Sequence, residues 1–176
     1  MILQAMTELA KAFASRGVRY LVVGGVAVNA HGHARMTRDL DLVLHFEPAN
    51  LRSGLEVLEA LGFRPTIPEP LDAFADARKR RHWKEERNME AFSLRSERFP
   101  MVPVDLLVTE PFDFDDAWEM SVDADLGGGG TVRIVGLRTL IRMKEAVGRP
   151  QDLEDASYLR ALLDDSDHQR GGLVHD

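Results

Sequence analysis

Asp39 and Asp41 stand either side of one leucine in the run Arg38-Asp39-Leu40-Asp41-Leu42-Val43-Leu44. In an extended strand successive side chains point to opposite faces, so the two carboxylates share one face and Leu40, Leu42 and Leu44 the other. The leucines can enter a core. Two carboxylates side by side repel each other unless a cation or a proton lies between them, and a divalent metal ion meets that need. Upstream, Gly24-Gly25 directly follows Leu21-Val22-Val23. It places backbone without Cβ at a strand-to-helix turn, where open N–H groups and a helix N-terminus can receive a phosphate. Most Gly pairs after a strand are only tight turns. The order within one short span carries more: strand, Gly-Gly, short helix, a loop with His33, Arg35, Thr37 and Arg38, then Asp-x-Asp on a strand.

The elements that must position these groups can be read in order. Ile2–Ser15 has Leu3, Met6, Leu9, Ala10 and Phe13 at helical spacing, with Gly17 as its C-terminal cap. Val18–Val23 reads as the first strand, Val26–His31 as a short helix and Asp39–His45 as the second strand. Pro48 opens a helix that runs to Leu61 and stops at Gly62. Three prolines in Pro65–Pro70 predict a loop. Met89–Leu94 alternates as a strand does, and Met101–Val108 is a stronger strand candidate in which Pro103 marks an edge or strand-entry position. Asp105 is the one carboxylate in that apolar run. Buried, it must be neutralised, either by structural hydrogen bonds or by joining the Asp39 and Asp41 site. Phe112–Met120 reads as a short acidic helix, Asp125–Gly130 as a flexible hairpin tip and Thr131–Val135 as a last strand. GGGG without a following Lys-Ser or Lys-Thr is no P-loop. Two amphipathic helices, joined at Gly148-Arg149-Pro150, fill Leu137–Leu163. This succession favours an α+β, α/β-like layer architecture.

Length and charge bound the rest. A chain of 176 residues fits one domain with a sizeable core. With 22 Lys and Arg against 29 Asp and Glu, net charge -7, the molecule as a whole is no electrostatic trap for nucleic acid. The run Arg78-Lys79-Arg80-Arg81-His82-Trp83-Lys84 is the local exception: a solvated helix face or mobile loop, or a basic, aromatic-containing patch for a nucleotide or nucleic acid. The absence of cysteine removes disulfides and thiolate chemistry. No uninterrupted apolar stretch reaches about 18 residues, so a cytoplasmic protein with no membrane association is expected.

The string GGVAVNAHGHARMTRDLDL, Gly24–Leu42, resembles the signature of the nucleotidyltransferase superfamily, most of all the minimal bacterial branch that includes the abortive-infection, toxin–antitoxin nucleotidyltransferases. The segment Lys144–Asp155 is similar to that branch too, where a Lys-bearing helix, a Gly-Arg turn and a helix with an early Asp follow one another. The resemblance implies a mixed β-sheet with flanking helices and a C-terminal helical pair, within one domain over residues 1–164, followed by a mobile tail over 165–176. It implies a third carboxylate at Asp105, so that Asp39, Asp41 and Asp105 are the catalytic residues and the ligands of two Mg2+ ions, with Mn2+ as a substitute. The nucleotide-binding set is Gly24, Gly25, Arg35, Thr37, Arg38 and Lys144. On physical grounds Lys144 can meet a triphosphate or simply be solvated, and Asp152 and Asp155 can serve equally as acids at a helix N-terminus. The activity implied is transfer of a nucleoside monophosphate from a nucleoside triphosphate to an acceptor such as tRNA, protein or a small hydroxyl compound. The alternative is a noncatalytic module that binds a nucleotide or a cognate toxin or antitoxin partner. One departure bears on the choice: many active members carry Ser or Thr after the Gly pair, where this chain has Val26 and Ala27.

Overall fold

The computed structural model describes residues 1–127 and 130–171. A seven-stranded mixed sheet runs in the order β3-β4-β5-β2-β1-β7-β6. Its strands are β1 (Tyr20–Val23), β2 (Leu40–Leu44), β3 (Phe63–Pro65), β4 (Ala91–Ser96), β5 (Val104–Leu107), β6 (Val122–Asp125) and β7 (Thr131–Ile134). The helices are α1 (Ile2–Ser15), α2 (Gly24–Ala30), α3 (Pro48–Ala60), α4 (Ala77–Arg87), α5 (Phe114–Glu119), α6 (Leu137–Val147) and α7 (Pro150–Gly171). β1 pairs antiparallel with β2 and parallel with β7, while β2 pairs parallel with β5.

Alternation along the strands decides which face is covered. Leu40, Leu42 and Leu44 of β2, Val104 and Leu106 of β5, and Phe92 and Leu94 of β4 are all buried. The residues between them on β4 and β5 are only partly covered or exposed. α1 and α3 pack against each other and against the sheet, and α6 packs on α7 and also touches α2. Local signals set these helices: Pro48 starts α3 and the Glu47 side chain accepts from the N–H groups of Ala49 and Asn50.

Several sequence expectations change. β3, which the sequence reading lacks, takes in Pro65, the first residue of the expected loop; it is at the sheet edge, where the missing Pro65 donor leaves no ladder bond unmade. Pro103 marks entry to an interior strand; its carbonyl accepts from Leu40 N–H at 2.9 Å. β6 was not anticipated: it pairs antiparallel with β7 from Val122 to Asp125, and most of the strand is exposed, so no apolar alternation announces it. Gly128 and Gly129, at the expected hairpin tip, lie outside the described residues. α7 continues to Gly171, past the Asp164 boundary of the expected tail, and residues 172–176 lie outside the described residues. The basic run is α4, but its aromatic is not displayed. Trp83 is buried and stacks on Phe92 at 4.9 Å. Arg80 is buried too, 4.1 Å above the Phe46 ring. Lys79 pairs with Glu69 and Lys84 with Glu90. Arg78, Arg81, His82 and Arg87 face solvent.

Candidate active site

The register puts the carboxylates together. Asp41 of β2 is the direct partner of Asp105 of β5, which is the partner of Ser93 of β4. Cross-strand partners share a face, so these three lie in a row across the incompletely covered side of the sheet. Asp39 sits just before β2 and is exposed.

The Gly pair packs against these groups directly. Gly24 begins α2 with φ +64°, and a Cβ there would fall 1.9 Å from Asp41 Oδ2. A Cβ on Gly25 would fall 2.5 Å from Thr37 Oγ1. The pair thus lets one carboxylate and one hydroxyl close on the start of a helix whose first N–H groups have no intrahelical acceptor. Val26 and Ala27 are buried. The N-terminus of α2 therefore offers backbone N–H groups, not a hydroxyl, to a phosphate. Gly25→Ala is expected to cost about 1–3 kcal/mol through overpacking, read as a lower urea midpoint, because Thr37 must move.

Burial and like charge act together on Asp41. Desolvation, then the neighbouring Asp105 and Asp39, push its carboxyl up from 3.8 to about 6, against the opposing pull of Lys144 and the Gly25 N–H. A carboxylate held this way has the hard oxygen donors and unbalanced negative charge that suit Mg2+ or Mn2+. Among the described residues no three His, Asp or Glu side chains are grouped so as to hold a metal ion. What the register itself supplies is an in-register pair, Asp41 and Asp105, with the exposed Asp39 just before β2.

Two residues expected to meet phosphate are engaged elsewhere. Lys144 is buried, with Nζ 2.9 Å from Asp152 Oδ1 and 3.1 Å from Asp155 Oδ2. Arg35 forks onto Asp155, Nε and Nη2 each at 3.0 Å, and its Nη1 donates to Met36 O at 3.1 Å. Arg149 donates from Nε to Asp152 Oδ2 at 2.7 Å while its side chain stays 74% exposed. Arg38 is exposed on the loop. Asn29 clamps that loop onto α2, accepting from Arg35 N–H at 2.9 Å and donating to Arg35 O at 2.8 Å. His31 Nε2 lies 2.7 Å from Val135 O, and His33 stacks on Tyr158 at 4.1 Å. Asn29, Asp152 and Asp155 are the members the sequence reading passes over or leaves as helix-end acids. One signal was available: Asp152, Asp155, Ala156 and Leu159 follow helical spacing and form the buried stripe of α7.

No family model and no curated protein matches the chain. Solved structures do. ANT(2'')-Ia in complex with adenylyl-2''-tobramycin is similar with a TM-score of 0.57 at 16% identity, over 92% of this chain and 88% of that one. A putative nucleotidyltransferase from Thermotoga maritima gives 0.55 at 12% identity, over 93% and 92%. The lincosamide antibiotic adenylyltransferase LnuA, lincomycin-bound, gives 0.50 at 15% identity, over 86% and 92%. These likenesses span nearly the whole chain at low identity and establish its architecture: a mixed sheet with flanking helices, the nucleotidyltransferase fold.

Proposed function

We propose that this chain transfers a nucleoside monophosphate from a nucleoside triphosphate to a hydroxyl-bearing acceptor. The observation that supports this reading most is the side-by-side pair Asp41 and Asp105, in register on adjacent strands and packed against a Gly-Gly helix start. The acceptor oxygen attacks the α-phosphorus, the bond from that phosphorus to the bridging oxygen breaks, and pyrophosphate leaves with the electron pair. Asp41, Asp105 and Asp39 are the residues that would hold Mg2+, which when bound neutralises charge on the phosphates and lowers the pKa of the attacking oxygen. The start of α2, with the Gly24 N–H and the positive end of the helix, orients the triphosphate, while the Gly25 N–H holds the Asp41 carboxylate. Thr37 and Arg38 approach from the loop. An Asp105 carboxylate oxygen takes the proton of the acceptor hydroxyl. No Ser or His nucleophile is needed, because positioning and electrostatics supply most of the acceleration in such transfers.

Two of the similar structures, the complex with adenylyl-2''-tobramycin and the lincomycin-bound lincosamide adenylyltransferase, hold an antibiotic, which makes small hydroxyl compounds the first acceptors to test here. The assay uses labelled ATP, CTP, GTP and UTP with Mg2+ or Mn2+, and offers aminoglycosides, lincosamides, bulk tRNA and total cell protein. Transfer that requires the divalent ion is the expected result. Before any acceptor is known, a triphosphate with Mg2+ at about a hundred times its Kd should stabilise the fold by about 2.7 kcal/mol, a rise in melting temperature of roughly 5–10 °C. Stabilisation without transfer to any acceptor would favour the noncatalytic binding module. Neither transfer nor stabilisation would remove the nucleotide altogether.

A further inference from the structure

We propose that Asp155 of α7 is a positioning residue that seats the loop between α2 and β2, so that the nucleotide site is complete only when α7 is docked. The inference rests on the transfer reading above and adds a residue to it. Asp155 is fully buried, and its partners come from two other parts of the chain. The loop supplies Arg35 through a two-point fork at 3.0 Å per bond, and His33 at 3.7 Å. The body supplies Lys144 of α6 at 3.1 Å. A planar guanidinium forked onto a carboxylate fixes orientation as well as distance. A buried ion pair is by itself weak evidence for stability, since an apolar contact of the same volume would serve as well or better. Geometry is what the fork adds.

That geometry is passed on over a short stretch of chain. Asn29 holds the Arg35 backbone on both its N–H and its C=O, while Asp155 holds the Arg35 side chain. Residue 35 is therefore fixed from α2 and from α7 at once. Two residues on, Thr37 seats against Gly25, where a Cβ would fall 2.5 Å from its Oγ1; two further on stands Asp39. Each Arg35 nitrogen already has an acceptor in Asp155 or Met36, and Lys144 lies between two carboxylates. Both cations act as struts beneath the site.

The test compares amide hydrogen exchange in the metal-free wild-type chain and in Asp155→Asn, with Asp152→Asn as the control that leaves the Arg35 fork intact. Asp155→Asn is expected to speed exchange across His31–Leu40 by about tenfold or more, the scale of a lost charge-assisted hydrogen bond, with β1 and β5 unchanged. Asp152→Asn is expected to leave the loop at the wild-type rate. If Asp155→Asn does not fold, Arg35→Met removes the loop end of the fork and is read in the same way. Loop exchange that stays at the wild-type rate, or that rises by the same factor as the sheet, would overturn the proposal. Once transfer is measurable, both fork variants should raise KM for the triphosphate more than they lower kcat. An unchanged KM with lower stability would reduce Asp155 to a packing residue. Exchange is read without nucleotide, so failure of the transfer reading and failure of the loop proposal are separable.

Discussion

Asp41→Asn is expected to abolish nucleotidyl transfer while making the metal-free protein more stable near neutral pH. The two effects share one cause. In the fold the Asp41 carboxyl is pushed up from 3.8 to about 6 by burial and by Asp105 and Asp39. The folded state thus holds that proton more tightly than the unfolded state does. Below about pH 4 the group is protonated in both states and costs nothing. As pH rises from there to about 6 the unfolded chain ionises first, and stability falls by an amount on the order of 2–3 kcal/mol. Asn keeps the shape and removes the charge, so the variant should gain that amount at pH 7 and nothing near pH 4. Urea unfolding in EDTA across this range reads it directly. Mg2+ should stabilise the wild type and not the variant. Transfer should drop by about a thousandfold or more, because several kcal/mol of charge stabilisation are lost. A variant less stable than wild type at pH 7, or one that still transfers at the wild-type rate, would overturn the role given to Asp41.

The face of Asp41 was legible in sequence because the period of a strand sets it opposite the buried Leu40 and Leu42, whereas Asp39 lies just before β2 and is not placed by that period. The partnership with Asp105 was not: lone polarity in MVPVDLLV required neutralisation but left its source open, and only the pairing of β5 beside β2 chose Asp41. The Gly pair was read for its capacity to bind phosphate. Its close contacts with Asp41 and Thr37 depend on long-range packing that no local pattern contains. Lys144 and Arg35 show the same limit. A cation near a site can face ligand or carboxylate, and here the carboxylates come from α7, close after Lys144 but far along the chain from Arg35. The basic run left two readings open for a different reason: charge along a helix is visible in sequence, whereas the inward face of Trp83 follows from its stacking on Phe92. β6 escaped because a strand with most of its residues exposed carries no hydrophobic alternation to read.

Lys144→Met is expected to give the largest loss of stability of any single change around the site. Its ammonium lies between Asp152 and Asp155, both buried. Burial alone would raise the Asp152 carboxyl, but hydrogen bonds from Arg149 and Lys144 hold it below the usual carboxylate range. A group depressed in this way stabilises the fold above its unfolded pKa, and that stability is lost as pH falls through the folded value. Met fills much of the same space but leaves two interior carboxylates with one cation fewer, and breaking a buried pair from one side costs about 3–5 kcal/mol. Arg149 and Arg35 each retain one carboxylate, which places the expected loss near the lower end. Arg149→Met, at the exposed end of the same network, should cost less than about 1 kcal/mol. The pH profile distinguishes lost charge from lost packing: the Lys144→Met deficit should be largest near pH 7 and shrink as the carboxylates protonate toward pH 4. Urea midpoints at the two pH values are the measurement. A loss below about 1 kcal/mol at pH 7 would show that Lys144 is no strut. It would return Lys144 to the triphosphate, where the same substitution should instead raise KM on an unaltered fold.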